Sequence, residues 1–195
     1  IFGAGLGYRD VELKAFGTNM AERAFRFEEN LEAIVQLWTN TPVTMKGSHF
    51  ELDNVTPSSR PVQKPRPPIW IAALITPDSF TNAGRMGYDL MAIPLPGGVM
   101  NELIALYREA RAEAGHEGPG RVMLAHHMFC HEDDAKALEI ARGALDRYLK
   151  SLVDASSSWL DGTSSADYPG YDKIIAMLAK ETTSTQMEKG GAFIG

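Results

Sequence analysis

The segment that follows Pro67 has the residue types of an anion-binding turn. A short apolar run at residues 69–73 is followed by Thr76 and Ser79, where a helix is predicted to begin. The first N–H groups of a helix have no partner within it, and the helix dipole favours negative charge at that end, so a phosphate could bind there. Asp78 or Ser79 could instead be an ordinary N-cap. The residues alone leave both interpretations open.

Three glycines near the start of the chain, Gly3, Gly5 and Gly7, recur at every second position. This spacing places them on one face of a strand, and it differs from the glycine-rich turn that binds dinucleotides. A face without side chains would let a flat ring or a neighbouring backbone approach closely. The same glycines would also fit a crowded barrel interior, so a ligand surface and a packing surface are both consistent with the pattern.

Histidines cluster at positions 126, 127 and 131. Imidazole is the commonest metal ligand. In an extended strand, however, His126 and His127 point to opposite faces, and His131 lies about 13 Å from His127 along the same face. The sequence therefore predicts no metal site here. His127 could be a hydrogen-bonding or acid–base group, or a histidine whose ring is satisfied in the core.

Size and composition favour one domain, residues 1–195, with a substantial core, since 44% of the 195 residues are hydrophobic. The net charge of −6 provides no broad basic surface for a nucleic acid or an anionic membrane. No apolar run approaches the roughly 20 residues needed to cross a bilayer. Cys130 is the only cysteine, which fits a reducing, cytoplasmic setting, and we expect its thiol to be buried. A small-molecule ligand is the expectation.

Predicted strands and helices alternate along most of the chain. The predicted helices cover residues 27–38, 78–86, 101–114, 132–153 and 171–179, with a short turn at 182–188, a hairpin near Gly47 and a mobile loop at 155–169. This alternation is typical of parallel βαβ units, in an open sheet or a closed barrel. A complete eightfold barrel needs roughly 250 residues, and both chain ends are apolar, so we expect an internal piece of a longer barrel protein.

Several segments, taken in order, carry a family resemblance. They are residues 3–12 with 15–17, 26–29 leading to 37–38, 60–65, 67–73, 80 with 83–88, 107–109, and 127 with 132–134. Their order and spacing resemble the luciferase-like flavin-dependent monooxygenases, the bacterial luciferase superfamily. The resemblance implies an α/β fold, a luciferase-like TIM (β/α)8 barrel, here incomplete. Strands four to eight of that barrel would be residues 1–7, 69–73, 88–93, 121–130 and 192–194.

The activity implied by this resemblance is that of a flavin-dependent oxidoreductase or monooxygenase, which uses reduced FMN and O2 to oxidise a small organic substrate. A separate flavin reductase would supply the FMN, and a homo-oligomer is expected. The implied cofactor-binding residues are Gly3, Gly5, Gly7, Tyr8, Ala73, Leu74, Ile75, Thr76 and Ser79, and the candidate catalytic residue is His127. Leu74 and Ile75 stand where similar proteins usually carry a small hydroxylated residue or glycine.

Three alternatives remain open at this level. A deazaflavin-dependent hydride-transfer enzyme would use the same barrel and the same phosphate turn. A non-catalytic flavin-binding protein is the second alternative, because the family includes one that has lost part of the barrel. The third is an inactive fragment.

Overall fold

The computed structural model describes residues 1–95, 98–157 and 171–195; most of the predicted loop at 155–169 lies outside these residues. The strands are β1 (Phe2–Ala4), β2 (Val43–Lys46), β3 (Glu51–Val55), β4 (Ile69–Ala72), β5 (Asp89–Ala92), β6 (Val122–Leu124), β7 (His127–Phe129) and β8 (Ala192–Ile194). The helices are α1 (Asp10–Ala15), α2 (Arg23–Thr39), α3 (Pro77–Arg85), α4 (Val99–Glu113), α5 (Asp134–Ala155), α6 (Tyr171–Leu178) and α7 (Thr183–Glu188).

Parallel pairing dominates the architecture. A four-stranded parallel sheet has the order β1-β4-β5-β6, and a separate parallel pair joins β7 to β8. The predicted hairpin is confirmed, because β2 and β3 pair antiparallel across the turn at Gly47. Within the described residues the strands do not close into a barrel, and no helix is long and apolar enough to cross a membrane.

Two strand predictions need correction. The strand predicted over residues 1–7 ends at Ala4, and the polar connection after it contains the short helix α1. The strand predicted over residues 121–130 is two strands, because β6 pairs with β5 while β7 pairs with β8. The chain passes from one sheet to the other at Ala125 and His126, which are both exposed. Two consecutive exposed residues interrupt the alternation that a single strand would require.

The main core lies between one face of the four-stranded sheet and the helices α3 and α4. Its largest fully buried side chains are Tyr107, Phe80, Ile69 and Leu90. The hydroxyl of Tyr107 donates to the carbonyl oxygen of Tyr88 at 2.9 Å, so its polar atom is satisfied. The strand β4 is buried at three of its four positions, as expected for a strand of a parallel sheet covered by helices.

Helices α3 and α4 approach closely at Gly84. A Cβ atom built on Gly84 would lie 2.2 Å from the carbonyl oxygen of Tyr107, which is a backbone atom that cannot rotate away. Only a residue without a side chain allows this packing. The contact holds α3, which follows the turn after β4, closely against α4.

Candidate functional site

The carboxyl ends of β1, β4, β5 and β6 meet at one edge of the sheet because the four strands are parallel. Ligands of parallel α/β proteins commonly bind at this edge. The ladder continues one residue past the strands, since the N–H of Ala73 donates to Met91 at 3.0 Å and that of Ala125 donates to Ala92 at 2.9 Å. The predicted anion turn and the first two histidines both follow this edge.

The turn between β4 and α3 differs in one respect from the sequence-based interpretation. The N-cap of α3 is Thr76, and neither Asp78 nor Ser79 has that position. Pro77 occupies the first helical turn, where its fixed φ suits the helix and its missing N–H costs nothing. The side chain of Thr76 makes no capping hydrogen bond; its carbonyl oxygen accepts from the N–H of Ser79 at 3.0 Å. The Thr76 hydroxyl is therefore not engaged in the cap.

Three consecutive N–H groups in this turn, those of Leu74, Ile75 and Thr76, donate to no group in the described part of the chain. Backbone N–H groups at the start of a helix are the donors that bind phosphates in other proteins. Asp78 lies exposed in the first turn of α3 and adds a negative charge that opposes an anion. The donors fit a phosphate, and this carboxylate lowers the affinity that they can provide.

Leu74 and Ile75 have a packing role. Both side chains contact an apolar cluster. Its buried members are Ile174, Ile175 and Leu178 of α6 together with Met20. The bulky residues at these two positions are thus explained by helix α6, which covers the turn from one side. Apolar cover excludes water and strengthens any hydrogen bond made by the turn.

The predicted glycine face is only partly a strand face. Gly3 lies in β1 and Gly5 just beyond it, and a Cβ on Gly5 would be 3.4 Å from the Cβ of Ala72 on the adjacent strand. A Cβ on Gly3 would be 3.0 Å from the Cε of Met91. Gly7 lies in the following turn with φ of 76°, a conformation that favours glycine. Gly3, Gly5 and Ala72 lie together beside the anion turn, with the Met91 side chain reaching Gly3, and we call this surface the glycine wall.

Arg23 is a residue that sequence reasoning missed. It is 2% exposed, and its Nη1 donates to the carbonyl oxygen of Gly7 at 3.0 Å. It thereby fixes the turn that carries Tyr8, which is exposed at the end of the glycine wall. Arg9, next to Tyr8, forms an ion pair with Glu12 at 2.5 Å. No sequence pattern reveals Arg23, since its partner is a backbone carbonyl 16 residues away.

The two adjacent histidines face opposite sides, as alternation predicts. The ring of His127 contacts Tyr148 of α5 at 5.1 Å between centroids, on the helix-covered side. The ring of His126 contacts Phe193 at 4.9 Å, on the open side. Burial lowers the pKa of His127, and repulsion from His126 lowers it further. His127 is therefore neutral at pH 7, and its catalytic role stays a prediction.

A pocket of about 140 Å³ lies between this edge and the helices α5 to α7. Both histidines line it, together with Tyr148, Glu181 and Gln186. Glu181 is a second residue that the sequence analysis missed. Its buried carboxylate accepts three hydrogen bonds, from the side chains of Lys189, Thr185 and Gln186.

The thiol of Cys130 is exposed, so the expectation that it is buried is wrong. Cys130 directly follows β7, which ends at Phe129. Within residues 1–95, 98–157 and 171–195, no group of three or more histidine, cysteine or acidic side chains is arranged to hold a metal ion.

Comparison with known proteins identifies the family. The model of the family described as luciferase-like monooxygenase matches residues 1–189. The chain belongs to the luciferase-like monooxygenase family. The resemblance inferred from the sequence is thereby confirmed, and the membership indicates an oxidoreductase lineage.

Two curated relatives are proteins of Sinorhizobium fredii (strain NBRC 101917 / NGR234). The uncharacterized protein y4vJ is 30% identical over 139 residues, which cover 69% of this chain and 39% of the relative. The uncharacterized protein y4wF is 28% identical over 157 residues, which cover 77% of this chain and 44% of the relative. The matched part of the chain thus corresponds to about two fifths of the length of these relatives.

Similar solved structures share the fold. The monooxygenase RslO1 from Streptomyces bottropensis is 25% identical, with a TM-score of 0.72 over 97% of this chain and 58% of that one. The oxygenating constituent of 3,6-diketocamphane monooxygenase from Pseudomonas putida, in complex with FMN, is 17% identical. Its TM-score is 0.69, and the match covers 99% of this chain and 56% of that one. An F420-dependent secondary alcohol dehydrogenase in complex with an F420–acetone adduct is 19% identical. Its TM-score is 0.66, and the match covers 96% of this chain and 54% of that one. The solved structures that share this fold therefore include one in complex with FMN and one that is F420-dependent.

Proposed function

We propose that this chain is part of a flavin-dependent monooxygenase that oxidises a small organic substrate with reduced FMN and O2. The observation that carries the proposal is the adjacency of the glycine wall to a turn with three consecutive N–H groups that have no hydrogen-bond partner among the described residues. A flat ring needs the first feature, and a phosphate tail needs the second. The family membership and the FMN complex among the similar structures agree with it.

The residues fit FMN. The N–H groups of Leu74, Ile75 and Thr76, with the hydroxyls of Thr76 and Ser79, would hold the phosphate. Gly3 and Gly5 would accept the ring system, because no side chain projects there from β1. Reduced FMN, when bound, supplies the electrons that activate O2.

The remaining side chains position this site. Arg23 holds the Gly7 carbonyl and so fixes the end of the wall. Leu74 and Ile75 join the turn to α6 and keep water from one side of it. Neutral His127 is a proposed proton acceptor in the 140 Å³ pocket.

Several further points belong to this proposal. We infer that β1, β4, β5, the β6–β7 run and β8 are strands four to eight of a (β/α)8 barrel, supported by matches that cover 54% to 58% of the similar structures. A flavin reductase would have to supply reduced FMN, and a homo-oligomer is part of the same expectation. The exposed thiol of Cys130 favours a reducing compartment such as the cytoplasm.

F420 is the second candidate cofactor. The observation that favours it is the structural similarity to an F420-dependent alcohol dehydrogenase, with a TM-score of 0.66. F420 also carries a phosphate and a flat ring, so the same turn and the same wall would serve. Parallel titrations of the purified protein with FMN and with F420 decide between the two.

The test of the site is the double substitution Thr76→Ala with Ser79→Ala. Loss of two hydrogen bonds to a charged phosphate is expected to cost about 2 to 4 kcal/mol, or roughly 30- to 1000-fold in Kd for FMN. Quenching of flavin fluorescence measures this Kd. The control is Thr81→Ala, which changes a hydroxyl of α3 that already donates to the carbonyl of Asp78. Equal Kd values for the double variant and the control would reject the phosphate turn.

A further inference from the structure

The 140 Å³ pocket beside the histidines lies at the carboxyl edge of the parallel strands. Residues 93–95, which directly follow β5, line it on one side, and Ala125, which directly follows β6, lines it next to them. The other walls come from α5, α6 and the turn at Gly191. All of the lining residues fall between positions 93 and 191, so this chain alone builds the pocket.

Most of the pocket wall is apolar. An engineered cavity of about 150 Å³ with an apolar lining stays dry and binds benzene. A pocket of 140 Å³ therefore suits a molecule of about 6 to 8 non-hydrogen atoms. The apolar side chains are those of Ile93, Leu95, Leu149, Leu152, Met177 and Leu178.

The charged group at the pocket is already compensated. Glu181 lines the pocket, and its carboxylate lies 2.6 Å from Nζ of Lys189. Two further donors, the side chains of Thr185 and Gln186, bind the same carboxylate. An anionic ligand would meet this carboxylate, and a cationic ligand would lose its hydration without gaining a free counter-charge. The pocket therefore favours a neutral ligand.

His127 supplies the polar contact that a neutral ligand can use. Its ring lies against Tyr148, with 5.1 Å between the ring centroids, and both residues line the pocket. Burial holds the pKa of His127 below its usual value, so the ring is neutral at pH 7 and has one N–H donor and one acceptor nitrogen. Within residues 1–95, 98–157 and 171–195, neither nitrogen makes a hydrogen bond. By contrast, Nδ1 of His126 lies 3.0 Å from the carbonyl oxygen of Gly190.

The pocket is a neighbour of the anion turn. Leu178 of α6 lines the pocket, and it also belongs to the buried cluster that Leu74 and Ile75 of the turn contact. One helix thus forms a wall of the pocket and the cover of the turn. A ligand in the pocket would therefore lie next to the turn that is proposed to bind the cofactor phosphate.

We propose that this pocket binds a compact, neutral molecule of about 6 to 8 non-hydrogen atoms, whose single hydroxyl or carbonyl group forms a hydrogen bond with His127. The apolar walls hold the hydrocarbon part of the molecule. Such molecules are the substrate class of the proposed function, and only the ligand's role as substrate rests on that function. Binding itself needs no flavin.

The first experiment titrates the purified protein, without flavin, with cyclohexanol, cyclohexane and 4-tert-butylcyclohexanol. Cyclohexanol should bind about 5-fold more tightly than cyclohexane, because it adds one neutral hydrogen bond. The larger alcohol should bind about 10-fold more weakly than cyclohexanol, because its extra carbon atoms overfill the pocket. Adhesion to an exposed apolar surface would instead grow with the number of carbon atoms. Tighter binding of the larger alcohol, or equal binding of cyclohexanol and cyclohexane, would overturn the proposal.

NMR of protein labelled with ¹³C at the methionine methyl groups locates the bound molecule. Cyclohexanol should shift the methyl signal of Met177, which lines the pocket. It should leave in place the signals of Met123 and Met128, which are exposed outside the pocket. Shifts confined to Met123 or Met128 would place the ligand elsewhere and refute the site.

Two substitutions with matched controls test the contacts. In His127→Leu the preference for cyclohexanol over cyclohexane should vanish, whereas His131→Leu, at an exposed histidine outside the pocket, should keep it. Met177→Trp places an indole ring in the pocket and should weaken cyclohexanol binding about 10-fold, whereas Ala176→Trp, at an exposed position of α6, should not. A preference that survives in His127→Leu, or unchanged binding in Met177→Trp, would contradict the proposal.

The two proposals fail separately. If a variant does not fold, the titrations and the methionine signals of the unaltered protein still decide whether the pocket binds its ligand. Failure to bind FMN or F420 would refute the proposed function alone, whereas failure to bind cyclohexanol would refute this pocket alone.

Discussion

The substitution Glu181→Gln tests how firmly the pocket beside the histidines is held. The side chain of Glu181 is 5% exposed. Its Oε1 accepts from Nζ of Lys189 at 2.6 Å, and its Oε2 accepts at 2.9 Å from both Thr185 Oγ1 and Gln186 Nε2. Burial raises the pKa of Glu181, but these three hydrogen bonds together outweigh it, so that the net pKa is lowered. The group is a charged carboxylate at pH 7.

The glutamine amide cannot reproduce this pattern. The amide oxygen can accept the hydrogen bonds of one carboxylate oxygen, but the NH2 group then stands where the other oxygen accepted and faces a donor. The hydrogen bonds that remain go to a neutral acceptor, not to a charged one. Hydrogen bonds to a charged group contribute about 1.5 to 3 kcal/mol each, whereas Lys189 can recover hydration because it is partly exposed. We expect a loss of about 3 kcal/mol, which corresponds to a decrease in Tm of roughly 6 to 12 °C for a domain of this size.

Urea unfolding at pH 7 measures this loss against the control Glu188→Gln, in which an exposed acid of α7 is neutralised. The pH dependence supplies a second check. Because the folded-state pKa of Glu181 is below its ordinary 4.5, its stabilisation is present above pH 4.5 and is lost as the pH falls through the folded-state value. The difference between the unaltered protein and Glu181→Gln should therefore shrink below pH 4.5. Unfolding of both variants at the same urea concentration would refute the reasoning.

Two further changes test packing and titration. Gly84→Ala should lower the free energy of unfolding, measured by urea unfolding, by about 3 kcal/mol, because the new methyl group meets the carbonyl of Tyr107. The control Gly143→Ala, on the exposed face of α5, should instead raise it by about 0.5 to 1 kcal/mol. An NMR titration should give His127 a pKa below 6.5, and this pKa should rise in His126→Asn. Because the folded-state pKa of His127 is lowered, the free energy of unfolding should decrease as the pH drops from 6.5 toward that pKa. An unchanged His127 titration would contradict the repulsion.

Local patterns were sufficient for most of the elements. The predicted helices at 78–86, 101–114 and 171–179 differ from α3, α4 and α6 by no more than two residues at either end. Apolar spacing and glycine or proline at the ends depend only on neighbours in the chain, so they can be read without knowing the fold. The parallel sheet followed from the alternation of strands and helices.

The functional edge could be predicted only in part. The turn after Ala73 and the glycine pattern are local and were visible, whereas the N-cap position of Thr76 depends on where the helix actually begins. The division of the strand at Ala125 was not visible, because it depends on which strand lies next to each half of that segment.

The sequence by itself determined the family, the order of strands and helices, and the turn whose residues suit an anion. Tertiary structure alone decided which carbonyl the ring of His126 contacts and why Arg23 is buried. The physical reason is the range of the interactions. Periodicity and capping act over a few residues, while the partners of Arg23 and His126 are backbone carbonyls 16 and 64 residues away.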